Sequence, residues 1–218
     1  MLVRDIMHSP AFAIAPDTTL QDAYRMMQEK SIRHLPVLDG ERLVGVITDR
    51  DLRLATSTLA AIPFPPGGRV AEVMHREPLV ADPCDPVEDA ARIMRDRKIG
   101  CLPVLDDSKL VGIITSIDLL EALMQLTGVD KPSGRLEVRL PDRAGELVRL
   151  TTAVSSRGLN IHSVLTYPER RGSGPKDAPA SGVRTVLRVA SMDTHLLAQA
   201  LRQAGFEVLW PPGKPCPR

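Results

Sequence analysis

Two threonine–aspartate pairs are the residues of this chain best placed to do chemistry. Gly45-Val-Ile-Thr48-Asp-Arg50-Asp51 is echoed by Gly112-Ile-Ile-Thr115-Ser-Ile-Asp118. In each, an apolar strand delivers a threonine to the start of a helix, with an acid three residues on. That spacing has a structural use, because threonine at the N-cap and an acid at the third helical position make a variant of the capping box. It also has a binding use. A helix start offers unpaired N–H groups and the positive end of a dipole. A carboxylate in the first turn can accept both hydroxyl protons of a ribose diol, and the threonine hydroxyl can bond ribose or phosphate. The duplication of the pair in identical context favours a site.

A second group precedes each pair. Ile32-Arg33-His34-Leu35-Pro36 places two cationic candidates before a proline. Proline in a strand belongs at an edge or an end and leaves the adjoining backbone free for other contacts. Arg33 suits phosphate through its planar fork, with His34 beside it; the alternative is that both are solvated charges. The second copy has Gly100 and Cys101 there, so the two clefts are expected to differ. A phosphorylated ligand in the second would need Lys98, Arg69 or Arg76.

The elements that position these groups are themselves written twice. Leu20, Ala23, Tyr24 and Met27 form an amphipathic stripe, with Asp17 or Thr18 as its cap; Val87, Ala90, Ala91 and Met94 repeat it. A strand ending near Pro36 or Pro103 follows, then a polar turn, a second strand over 43–47 or 110–114, and a helix from Thr48 or Thr115. Matching lead-ins, Val3-Arg-Asp-Ile-Met7-His8 and Val70-Ala-Glu-Val-Met74-His75, open the copies, and a Pro/Gly-rich connector spans 60–68. Each unit is too short for a full core, so the two are expected to pair around a shared face with pseudo-two-fold symmetry.

A second boundary falls over 127–134. Beyond it, 135–140 alternates as a half-buried strand, and a helix follows with Leu147, Leu150 and Val154 on one face, stopping at Gly158. Residues 160–167 read as a strand, 169–182 as a mobile hairpin loop, and 183–189 as a strand. Asp193 caps a helix carrying Leu196, Leu197, Ala200 and Leu201, and 206–210 is the last strand. The order β-α-β-β-α-β is that of a ferredoxin-like sandwich. Domain boundaries are expected at 1–67, 68–127, a linker over 128–134, 135–211 and a disordered tail over 212–218.

Bulk composition narrows the function classes. The 218 residues carry 43% hydrophobic and 25% charged residues with a net charge of +1, which gives no argument for nucleic acid or an anionic membrane. Aromatics at 3% are too few for base-stacking platforms. Apolar runs are strand-length, and the start of the chain lacks a signal-peptide core. Cys84, Cys101 and Cys216 are unpatterned, which makes a reduced cytoplasm the expected location. The five histidines show no ligand spacing, so no metal is expected. No nucleophile elbow, P-loop or dinucleotide fingerprint occurs. Cys101 reads as a small buried residue, and no catalytic residue is expected.

Together, the duplicated residues over about 1–125 resemble the CBS domain family, whose tandem pair is a Bateman module. The resemblance implies an α/β fold and binding of adenosine compounds such as AMP, ADP, ATP or S-adenosylmethionine between the repeats. By it, the candidate nucleotide contacts are Arg33, His34, Leu35, Thr48, Arg50 and Asp51 in the first copy. In the second they are Gly100, Cys101, Leu102, Thr115 and Asp118. Leu140-Pro-Asp142-Arg-Ala144-Gly145-Glu-Leu147 with Arg157-Gly-Leu-Asn160-Ile161, in its β-α-β-β-α-β frame, resembles an ACT domain. That implies side-by-side pairing, hence a homodimer, and an amino-acid site at Asp142, Ala144, Gly145, Asn160 and Ile161. Two CBS repeats followed by an ACT domain are similar to bacterial acetoin-utilisation accessory proteins. The expectation is a non-enzymatic cytoplasmic sensor, with an adenine nucleotide as effector rather than a bound cofactor, acting on a partner enzyme. The alternative is an assembly module without a ligand.

Overall fold

The computed structural model describes residues 1–58, 63–65, 67–168 and 182–213. The expected mobile loop over 169–182 lies outside these save for Gly182, as do Cys216, the end of the tail and much of the connector. The chain divides into two compact units, Met1–Ala122 and Leu123–Arg218.

The first unit holds the two copies. Copy one contains α1 (Leu20–Lys30), β1 (His34–Asp39), β2 (Arg42–Thr48) and α2 (Asp49–Ala55). Copy two contains α3 (Val87–Arg97), β4 (Cys101–Asp106), β5 (Lys109–Thr115) and α4 (Ser116–Thr127), whose C-terminal end runs into the second unit. A short strand β3 (His75–Arg76) precedes α3. The hairpins are matched to the residue: His34 pairs with Thr48 and Cys101 with Thr115, and both bulge after the fourth strand residue, at Val37 and Val104.

Three details differ from the pattern reading. The cap of α1 is Thr19, whose hydroxyl accepts from Asp22 N–H at 3.0 Å, not Asp17 or Thr18. Tyr24 faces solvent at 41% exposure while Leu20, Ala23 and Met27 are buried. Pro36 and Pro103 sit inside their strands rather than at the ends. β1 is an edge strand, and its outer edge is closed by Ile14, which donates to Pro36 O and accepts from Leu38 N–H. Ala81 does the same at Pro103 and Leu105. The missing proline N–H therefore costs no ladder bond.

The lead-ins cross over. Val3 packs in the core of the second copy with Leu102, Val104 and Ile114, whereas Val70 and Met74 pack in the first with Leu35, Val37 and Ile47. Each lead-in methionine lies against the other copy's strand glycine. The position a Cβ would take on Gly45 is 2.6 Å from Met74 Sδ, and on Gly112 it is 2.8 Å from Met7 Sδ. Any side chain at either glycine would collide with the methionine and with the neighbouring histidine's backbone carbonyl, His75 O at 2.9 Å or His8 O at 2.8 Å. Between the copies, Val46, Cys101 and Ile113 form a small buried cluster with Ala11 against it. Each copy thus completes its core with a segment from its twin, which makes a lone copy an open core.

The second unit is the expected sandwich. β6 (Gly134–Leu140), α5 (Glu146–Ser155), β7 (Ile161–Pro168), β8 (Val183–Val189), α6 (His195–Gln203) and β9 (Glu207–Trp210) follow in order, and the four strands form an antiparallel sheet ordered β7-β8-β6-β9. Leu136, Val138, Leu150, Val154, Leu187 and Leu201 fill its core, each large side chain worth about 1.5–3 kcal/mol on burial. Leu147 and Leu196, expected inside, are exposed, and Ala198 takes the inward position on α6.

Candidate functional site

The two Thr–Asp pairs form the same constellation. In the first copy, Asp51 Oδ2 accepts from Thr48 N–H at 2.9 Å and from Thr48 Oγ1 at 2.6 Å, and Asp51 N–H returns to Thr48 Oγ1 at 3.2 Å. In the second, Asp118 Oδ2 accepts from Thr115 N–H at 2.6 Å and Oγ1 at 2.8 Å. One oxygen of each carboxylate is thereby saturated by its threonine, which fixes the plane of the group and presents Oδ1. The structural role of the motif is therefore real, and it orients the carboxylate that the binding role needs.

Oδ1 has a partner that the sequence did not suggest. His75 Nε2 lies 3.1 Å from Asp51 Oδ1, and His8 Nδ1 lies 3.1 Å from Asp118 Oδ1. Because the lead-ins cross over, each histidine comes from the other copy's lead-in. The matched positions of His8 and His75 were visible in the sequence as simple repetition; only the crossing gives them a target.

The helix starts are less open than the motif implied. Asp49 N–H donates to Arg33 O and Ser116 N–H to Gly100 O, both at 3.0 Å. With Asp51 N–H also used, most of the first-turn donors of α2 are satisfied internally, so phosphate recognition falls to side chains. Arg33 and Arg50 are exposed, and neither side chain makes a hydrogen bond or ion pair among the described residues.

His34 is half-buried and belongs to both copies. Its Nε2 lies 2.9 Å from the position a Cβ would take on Gly100. The imidazole of the first copy thus fills the place where the second copy's counterpart of Arg33 would project. Burial and the Arg33 charge lower its pKa, against the opposing pull of Asp51 and Asp118. Cys101, the counterpart of His34, is buried, and burial with the Asp51 charge pushes its thiol up to about 12. That fits a packing residue and not a nucleophile.

Other expected contacts are not brought to the site. The Leu35 and Leu102 side chains lie in the two cores at 0% exposure, so only their backbones remain available. The Arg69 guanidinium is held by Asp17 O, and Arg76 donates to Ala71 O at 3.0 Å. Of the three possible substitutes for a second basic pair, only Lys98, exposed at the end of α3, is uncommitted. A cleft of about 370 Å³ lies at the hairpin end of β1 and β2, lined by Asp39, Arg42, Val44, Met74, Arg76 and Glu77. It does not include Thr48 or Asp51.

In the second unit, Asp142, Ala144 and Gly145 precede α5, whereas Asn160 and Ile161 follow it. The ten-residue helix separates the two groups by about 15 Å, so one chain does not join them into a site. Gly145 caps α5 at φ +89° with open space beside it. Glu146, next to it, is held between Arg143 and Arg149, whose hydrogen bonds keep its carboxyl below the usual range. Among the described residues there is no cluster of metal-ligating side chains, and no helix is long and apolar enough to cross a membrane.

This arrangement, duplicated clefts in a crossed pair plus a ferredoxin-like unit, defines a class of regulatory module. The CBS domain family matches residues 3–57 and 70–125, and the ACT domain family matches 134–206; the chain belongs to the CBS domain family and carries a C-terminal ACT domain. Among solved structures, the CBS pair of protein MJ0100, in complex with 5'-methylthioadenosine and S-adenosyl-L-methionine, is 29% identical, with a TM-score of 0.52 over 60% of this chain and 98% of that one. CBSX2 in complex with AMP is 32% identical, with a TM-score of 0.52 over 57% and 97%. A putative acetoin utilization protein (AcuB) from Vibrio cholerae is 33% identical, with a TM-score of 0.51 over 61% and 98%.

Proposed function

We propose that this protein is a non-catalytic sensor whose CBS pair binds an adenosine compound, AMP or a relative, at the Thr48–Asp51 cleft. The observation that carries this reading is the carboxylate of Asp51: its Oδ2 is fixed by Thr48, its Oδ1 faces a replaceable partner, and Arg33 and Arg50 stand beside it uncommitted. A ribose diol suits the first feature and a phosphate the second. The similar pairs that hold AMP, S-adenosylmethionine and methylthioadenosine support the ligand class. The second cleft keeps Thr115 and Asp118 without a basic pair, so it suits an uncharged or less charged adenosyl group.

The ACT unit serves dimerisation, with any amino-acid site assembled from Asp142–Gly145 of one protomer and Asn160–Ile161 of another. α4 carries Asp118 in its first turn and ends at Thr127, and the chain then leads through 128–133 to the first ACT strand, which offers a covalent route for ligand-induced change. Reciprocal changes in two ligand affinities would demonstrate that coupling. The competing reading, an assembly module without ligand, draws on the shielding of Asp118.

Thermal unfolding against AMP, ADP, ATP, S-adenosylmethionine and methylthioadenosine tests the proposal. A ligand at about 100 times its Kd adds about 2.7 kcal/mol, a rise of roughly 5–10 °C for a chain this size. The rise is expected with one of these compounds and is cut to half or less in Asp51→Ala. No shift with any of them, in protein freed of carried-over ligand, leaves the assembly module as the better account.

A further inference from the structure

Each lead-in histidine stands over the opposite copy's aspartate: His75 Nε2 is hydrogen-bonded to Asp51 Oδ1, and His8 Nδ1 lies at ion-pair distance from Asp118 Oδ1, both at 3.1 Å; helix capping requires neither. The Asp118 side chain is 3% exposed beneath a His8 side chain that is 72% exposed. Asp51 is 15% exposed beneath His75, which is 70% exposed. In both cases a ring with one side in water covers a carboxylate that is shielded from it. A carboxylate only accepts, so in the hydrogen bond to Asp51 the His75 ring donates its Nε2–H; the His8 ring stands over Asp118 with Nδ1 3.1 Å from Oδ1.

The backbones beneath these rings are fixed. His8 exchanges both backbone hydrogen bonds with Ile113, at 2.9 and 3.0 Å. His75 pairs with Val46 in β3. The preceding methionines are wedged against Gly112 and Gly45. What can move is the imidazole, by rotation about its side-chain bonds into solvent, a change available on the nanosecond scale for exposed groups. Meanwhile Oδ2 of each carboxylate already accepts two threonine donors. A diol arriving at either aspartate must therefore take Oδ1, the oxygen the histidine holds.

We propose that His8 and His75 are internal stand-ins for the ribose: each occupies the diol-binding oxygen of the opposite copy and is displaced when a ligand binds. This rests on the adenosine reading of the Thr–Asp clefts. It adds the identity of the group that competes with the ligand, and it gives the ligand a defined first effect on the protein, release of a lead-in side chain that bridges the two copies. Because the bridge is crosswise, a ligand in one cleft frees a residue of the other copy's lead-in. Before a ligand arrives, Oδ1 of each shielded carboxylate is thus kept covered, and ligand affinity is lowered by the contact that must be broken.

The test is calorimetric titration of AMP and of 2',3'-dideoxy-AMP into the wild-type chain, His75→Ala and Asp51→Ala, with the histidine ring nitrogens of the wild type followed by NMR. AMP binding is expected to tighten about fivefold in His75→Ala, the worth of one competing hydrogen bond. The dideoxy compound, lacking the hydroxyls that need Oδ1, gains nothing. On adding AMP to the wild type, the His75 ring signals move from hydrogen-bonded to free positions. Asp51-dependent AMP binding with unchanged or weakened affinity in His75→Ala, or with His75 signals that stay in place, overturns the stand-in and leaves the adenosine reading intact. Absence of any Asp51-dependent AMP binding in both wild type and His75→Ala overturns AMP as the ligand of this cleft, and the stand-in for its ribose falls with it.

Discussion

The two copies of the CBS unit share a backbone and differ in the groups they hold around the Thr–Asp pair. Hairpin register, bulge, Thr–Asp geometry and lead-in histidine are repeated, whereas Arg33-His34 in the first copy is Gly100-Cys101 in the second. The comparison separates what the fold needs from what the proposed ligand would need. Where packing decides, the copies agree: Leu35 and Leu102 are both at 0% exposure, as are Ile47 and Ile114. Where solvent-facing chemistry decides, they part. The difference is also reciprocal, since His34 of the first copy occupies the space that Gly100 of the second leaves open.

The largest expected effect tests the agreement. Leu35→Ala and Leu102→Ala each remove a fully buried leucine and should each lower stability by about 2–5 kcal/mol. Denaturant unfolding measures both, and near-equal losses are expected because both cores are closed by the twin's lead-in. A much smaller loss in one would break the equivalence of the copies.

Next comes the divergence in the clefts. Asp51→Ala is expected to weaken AMP binding about 10–100-fold, the range for losing a charged hydrogen-bond partner. Asp118→Ala, in the cleft without an arginine, should leave that first-cleft affinity nearly unchanged. Titration calorimetry distinguishes the two variants. Equal losses would show that the clefts are not specialised.

The third prediction sharpens the reciprocity. Gly100→Ala places a methyl 2.9 Å from His34 Nε2, too close for an ordinary contact, and should destabilise the protein by about 1 kcal/mol, the low end of the overpacking range, because the ring can tip aside. In a His34→Ala background the same substitution should be near neutral. A double-mutant cycle reads the coupling directly, and additive effects would show that the ring and the glycine do not constrain each other.

These comparisons also mark how far the sequence could be read. The repeat, the Thr–Asp pairs and the β-α-β-β-α-β order were legible because hydrophobic period and turn chemistry are local. The lead-in crossing was not, since Val3 and Val70 have equivalent neighbours in sequence and only long-range packing decides which core each enters. His8 and His75 looked like mere repetition for the same reason. Tyr24, Leu147 and Leu196 fit the helical stripe yet face solvent, because a stripe fixes a face to within a residue or so, and neighbouring elements choose its edge. Leu35 and Leu102 followed their motif into the candidate list, but strand alternation turns their side chains into the cores. Pro36 seemed to end its strand, and Ile14, distant in sequence, completes the edge instead.

The smallest effect separates the copies by pH at one matched position. His34 and Cys101 occupy equivalent places, and burial acts on both in favour of the neutral form. For His34, burial and then the Arg33 charge lower the pKa from an ordinary 6.5. Below 6.5 the unfolded chain therefore takes up a proton that the folded chain resists, so the unfolded state binds more protons and stability falls as pH drops through that window. For Cys101, burial and then the Asp51 charge raise the pKa from an ordinary 9.0 to about 12. Between those values the folded thiol keeps a proton the unfolded one has lost, so its contribution is complete below pH 9 and declines as pH rises towards 12. The melting temperature should thus carry an acid shoulder from the first copy and an alkaline one from the second. His34→Gln is expected to flatten the acid shoulder alone, and Cys101→Ala the alkaline shoulder alone. If either substitution moved both shoulders, the two positions would titrate as one coupled group across the pair, and the division of labour between the copies would have to be redrawn around a shared centre.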